Sequence, residues 1–191
     1  NFNQKIVETL VKNRFKIIVT FRDIRDAMIS RYYHILSDKN HWQHDIVKSQ
    51  TFEKGFIKSL TEYTDKFPKH LKFEEPIISY YNWIKNWKQF DDQNIKKIWF
   101  ESYKSDPLNF IEDLLKFTNF QNLNKNKILD GLIKKNKEER DIPLIKKLKR
   151  TNKNVSTFRS GKVGEWKELF NKKIESEFYK SLPGEISQIL N

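Results

Sequence analysis

The sequence predicts an α/β fold built on a parallel sheet, and three observations predict it. Phe15 to Phe21 (FKIIVTF) is a near-continuous β-branched and aromatic run, the pattern of a central strand covered on both faces. Ile95 to Phe100 (IKKIWF) is a second such run. Around and between them apolar residues recur at helical spacing, and strands alternating with helices indicate parallel pairing.

The elements follow in order. Ile6, Val7, Leu10 and Val11 give a short first helix. After the first strand, Arg22-Asp-Ile-Arg-Asp26 leads into a helix over Ala27 to Leu36, and Asp23 or Asp26 near its start suits the positive end of the helix dipole. Ser37 to Ser49 is polar and reads as a loop, and Phe52 to Tyr63 as a helix. Phe67 to Glu75 reads as irregular, with Pro68 and Pro76 as punctuation. Ile77 to Phe90 is an aromatic-rich helix; its Tyr80, Tyr81, Trp83 and Trp87 either pack or line an acceptor pocket, and such stripes are more often core. Asp106-Pro107 starts a helix with proline in its first turn, and Leu108, Ile111, Leu114 and Leu115 form its apolar stripe. A further helix covers Lys125 to Lys135. Asn136 to Ser156 is strongly basic and is expected to be a mobile loop, with Lys134 to Arg150 either a lid or solvated. Glu165 to Lys180 returns to helix. No internal repeat or domain boundary is evident, so residues 1–191 are expected to form a single domain.

Composition narrows the function classes. Fifteen Phe and five Trp argue against disorder throughout. A net charge of +12 favours anionic partners, although Lys is abundant along the whole chain, so charge alone selects none of them. With no cysteine, disulfides and thiolate metal sites are excluded, and a reducing compartment is compatible though not demanded; the location expected is cytoplasmic. No apolar run approaches the ~20 residues of a membrane helix. His41 and His44 stand three apart, but no third ligand completes a set, so no metal is expected. His34 is read as packing or solvent-exposed, and His70, near Pro68, as a residue at an acceptor cleft.

Two segments carry phosphate chemistry. Arg22 stands where the first strand ends, and Ser30 two helical turns beyond. In open α/β sheets ligands collect at the carboxyl ends of strands, where a planar guanidinium suits phosphate oxygens and a hydroxyl adds a neutral donor. Near the C-terminus, Phe158-Arg-Ser-Gly-Lys-Val-Gly-Glu-Trp-Lys167 has two glycines that permit close backbone approach, beside the charge of Arg159. It is not a Walker loop, which needs G-x-x-x-x-G-K-[ST]. This also argues against a nucleotide kinase.

Together with Phe100-Glu-x-x-Lys-x-Asp-Pro107 after the second strand, these segments resemble, in order, the motifs of the PAPS-dependent sulfotransferase family. The resemblance implies a three-layer, P-loop-NTPase-like parallel sheet flanked by helices. It implies that Arg22 and Ser30 hold the 3′-phosphate of PAPS, and that Arg159-Ser160-Gly161 closes over the same phosphate. Trp166 matches a residue that mainly packs. Two departures stand out: Ser160 replaces the family's Lys, and Phe100 its Tyr.

The resemblance further implies a sulfuryl transfer from PAPS to a hydroxyl or amine of a small-molecule or glycan acceptor, leaving adenosine 3′,5′-bisphosphate. The family's strand–loop–helix for the 5′-phosphosulfate, and its catalytic base, precede the matched strand. No residue of this chain matches them, so the chain is expected to be an incomplete domain, inactive alone, with catalytic residues upstream of Asn1. The alternative is a non-catalytic basic module binding nucleic acid. It is disfavoured because scattered lysines do not reproduce three motifs in sequence order.

Overall fold

The computed structural model describes residues 2–62, 75–140 and 161–190. They divide into two compact units: Asn1–Arg22 with Asn86–Lys146, and Asp23–Lys85 with Lys147–Asn191.

In the first unit, helix α1 (Gln4–Lys12) begins at Asn3, whose side chain accepts the Ile6 amide. Strand β1 (Ile17–Phe21) pairs in parallel with β2 (Ile95–Trp99), in a register that sets Ile17 opposite Ile95 and Phe21 opposite Trp99. Phe21 and Trp99 also pack as rings, with centroids 5.2 Å apart. The expected parallel pairing is therefore present, as a two-stranded sheet among the described residues. Of the two faces expected to be covered, one is buried among the described residues. Val19 and Phe21 are buried, whereas Ile18 is 44% exposed and Thr20 is also exposed. Successive strand side chains point to opposite faces, so the face bearing Ile18 and Thr20 is exposed among the described residues.

Phe100, expected to end the second strand, instead opens helix α6 (Phe100–Ser105). Helix α7 (Pro107–Thr118) starts as anticipated: Pro107 occupies the first turn and Asp106 accepts the Asn109 amide at 3.1 Å. It ends at Asn119 in the left-handed conformation, φ 61°. Helix α8 (Lys125–Arg140) is longer than expected, taking in residues that had been assigned to a basic loop. The rest of that loop, 141–156, lies outside the described residues, as do 67–74 and His70.

The second unit is helical. Helix α2 (Ile24–Ser37) buries Ile24, Met28, Ile29, Tyr32 and Ile35. The segment 37–49 is not all loop: α3 (His44–Lys48) lies within it and buries Val47. Helix α4 (Phe52–Thr61) contributes Phe56 and Leu60, and α2, α3 and α4 pack against one another. Gly55 of α4 permits this: a Cβ there would stand 3.2 Å from the Tyr32 ring and from the Val47 carbonyl. The N-terminal part of α5 (Pro76–Gln89) buries Ile77, Tyr81 and Ile84, which resolves the aromatic helix toward core at those positions.

The helix expected over Glu165 to Lys180 is two helices, α9 (Trp166–Leu169) and α10 (Lys172–Lys180). Asn171 breaks it, because its side chain accepts the Lys173 and Ile174 amides and so caps the second helix. The break lets Phe170 meet Phe56, Trp166 and Phe178, at centroid distances of 5.5, 5.9 and 5.3 Å. Glu53 of α4 takes the Lys173 ammonium at 2.7 Å and the Asn171 amide at 2.9 Å. Those two hydrogen bonds hold the Glu53 pKa below its ordinary value.

Candidate functional site

Arg22 follows the last residue of β1, half-buried, with its guanidinium carbon 5.2 Å from the centre of the Phe100 ring. Lys104 lies over the same ring at 5.4 Å. The aromatic that replaces the family's Tyr thus faces two cations.

The start of α2 is held by its own acids. Asp23 is the N-cap, accepting the Arg25 amide at 2.9 Å, and it also accepts the Arg25 side-chain Nε at 2.9 Å. Thus fixed, Arg25 stacks over Trp166 at 3.7 Å and reaches the Tyr179 hydroxyl at 3.5 Å. Burial disfavours the charge on Arg25, but Asp23 and Tyr179 outweigh it and raise its pKa.

Asp26 stands in the first turn of α2, as anticipated, but is 1% exposed and faces inward. Its Oδ2 accepts the Gly164 amide at 2.6 Å and its Oδ1 the Trp166 amide at 3.0 Å. Ser30, half-buried, lies one turn further along the same face of α2 as Asp26. The C-terminal glycine turn is therefore fastened to the helix that carries Ser30. Gly161 and Gly164 both take positive φ, 59° and 76°, as their glycine identity anticipates. Arg159 and Ser160 lie outside the described residues. Trp166 does pack, as expected, but as the platform for Arg25 and against Phe170.

The three histidines among the described residues each contact neighbours in the fold. His44 Nδ1 contacts the Ile35 carbonyl at 2.9 Å, and His41 Nδ1 accepts the Gln43 amide at 3.1 Å. Burial, then Arg31 and His34 nearby, lower the His41 pKa to about 4. His34 meets His41 edge to face at 6.0 Å, so packing is its observed role. Buried Gln43 accepts from Arg31 and donates to the Glu62 carbonyl at 2.6 Å, while Arg31 also donates to the Ser59 carbonyl at 2.8 Å. Among the described residues no group of three His, Asp or Glu could hold a metal ion, and no helix is long and apolar enough to cross a membrane.

Compared with known proteins, residues 2–183 match the sulfotransferase domain. The chain belongs to the sulfotransferase family. Curated relatives include sulfotransferase 6B1 of Mus musculus, 26% identical over 171 residues, covering 87% of this chain and 49% of that protein. Sulfotransferase 6B1 of Pan troglodytes is 24% identical over 194 residues, covering 94% and 55% respectively. The chain thus spans about half the length of the curated relatives it matches. Within this sulfotransferase domain, what sequence reasoning missed is that Arg25 and Asp26 hold the C-terminal turn.

Proposed function

We propose that this sulfotransferase chain binds the 3′-phosphate end of PAPS and serves transfer of its sulfuryl group to a hydroxyl or amine. The acceptor class proposed is a small molecule or glycan. One observation carries the reading: the Gly161–Trp166 turn is bonded to the face of α2 that bears Ser30, so two phosphate motifs far apart in sequence meet on one helix. The donor set suits an anion chemically. Arg22 offers a planar fork, Ser30 a hydroxyl, and the turn after Arg159 and Ser160 has glycine at its positive-φ positions.

PAPS supplies the sulfuryl group; the residues named here bind and orient its nucleotide end. A donor anchored at the 3′-phosphate presents its sulfuryl group in a fixed place, which lowers the entropic part of the barrier. A three-layer, P-loop-like sheet and a cytoplasmic location belong to the same proposal, supported by the parallel β1–β2 pair and by a cysteine-free composition that a reducing compartment tolerates. No described residue matches the family's base or 5′-phosphosulfate loop, so the 191 residues alone are expected to show no turnover in a sulfuryl-transfer assay.

The deciding experiment is calorimetric titration with adenosine 3′,5′-bisphosphate. Arg22→Ala and Arg159→Ala are each expected to weaken binding by about tenfold or more, the loss of one charge-assisted contact. Unchanged affinity in both variants sinks the assignment.

A further inference from the structure

Asp26 and Arg25 do more than close a helix start. Asp26 spends both carboxylate oxygens on main-chain amides of the C-terminal turn, those of Gly164 and Trp166, across 138 and 140 residues of sequence. Arg25, held by Asp23, lies 3.7 Å over the Trp166 ring, so the turn is gripped at its backbone and at its side chain. Part-buried main-chain amides need acceptors, and the carboxylate supplies two where a neutral side chain offers one oxygen.

We infer that Asp26, with Arg25, is a latch that positions the C-terminal turn for donor recognition, and so sets affinity for the 3′-phosphate without touching it. The inference rests on the donor reading given above. Gly164 and Trp166 are fixed by the latch, and Gly161 stands three residues before Gly164 in a positive-φ conformation. The pinned turn thus presents the Gly161 backbone from a fixed place beside α2. Ser30, one helical turn beyond Asp26, leaves the same helix face. The latch therefore joins two segments proposed to share one phosphate. It makes Asp26 and Arg25 positioning residues.

The test uses Asp26→Asn, two nucleotides and one ligand-free readout. The amide group presents one acceptor and one donor to two N–H groups, so hydrogen exchange at Gly164 and Trp166 should quicken about tenfold. Affinity for adenosine 3′,5′-bisphosphate should fall by about tenfold, while adenosine 5′-monophosphate, lacking the 3′-phosphate, should bind within about twofold of wild type. Equal losses for both nucleotides, or none for either, overturn the latch. If wild type itself binds no bisphosphate, the donor site is refuted and the latch's role with it; the exchange rates still show whether the two bonds exist. Gly164→Ala is the second variant. Its added Cβ meets nothing nearer than the Lys167 side chain at 3.9 Å, so strain at φ 76° is its effect, and the same 3′-phosphate-selective loss is expected. If Asp26→Asn does not fold, retention of selectivity by Gly164→Ala overturns the inference.

Discussion

Phe100 shows how one residue can depart from its family and still serve a neighbouring site. The hydroxyl of the family's Tyr is gone, but the ring face remains beneath Arg22 and Lys104. Phe100→Leu, which keeps bulk and removes the π face, is expected to weaken adenosine 3′,5′-bisphosphate binding by about two- to fivefold in a titration, while Phe100→Tyr retains it. His41 gives a second residue-scale expectation. Folded, it holds its proton only below about pH 4; unfolded, below about 6.5. Between those values the unfolded state binds more protons, so stability rises with pH across this window and is lost on acidification. Urea midpoints should climb from pH 4 to 6.5. The climb should flatten in His41→Asn, whose side-chain oxygen still accepts the Gln43 amide.

Among the elements, α2 does the most. It follows the strand-end Arg22, bears Ser30 and the latch, and packs on α3, α4 and α9. Burial on several sides explains why it reads weakly amphipathic in sequence although it is the central helix of its unit. Ile29 is fully buried, and Ile29→Ala should lower unfolding free energy by roughly 2–5 kcal/mol in chemical denaturation. A loss below about 1 kcal/mol would show that the α2 core is loosely packed. Element boundaries were legible where a local cap decides them: Asp106-Pro107 announces α7 because both residues act within one turn. The break at Phe170-Asn171 also rests on a local cap, Asn171 accepting the Lys173 and Ile174 amides, but apolar residues continue at helical spacing on both sides of it and hide the boundary in sequence.

At the scale of the molecule, the charge of +12 is the property that an anion meets first. A donor pocket reading one phosphate group and a groove tracking a nucleic-acid backbone differ in salt dependence. Adenosine 3′,5′-bisphosphate affinity is expected to fall by less than about tenfold between roughly 50 and 200 mM salt, whereas six to ten backbone contacts lose about 10³–10⁵. An oligonucleotide that binds tightly and loses affinity on the steeper scale would favour the nucleic-acid module instead. The ordered motifs, and membership of the sulfotransferase family across residues 2–183, favour the shallow one.

The sequence by itself determined the parallel strand pair, the helix that follows Arg22, the capped start at Asp106 and the family to which the motifs belong. These are set by periodicity and by side chains acting within a few residues of themselves. Tertiary structure decided that Asp26, in the first turn of its helix as anticipated, also serves the far turn, and that Val19 and Phe21 rather than Ile18 are the buried residues of β1. Each depends on which residues far along the chain come to lie nearby. A charged residue at a helix start looks the same in sequence whether it caps its own turn or holds a loop 138 residues away.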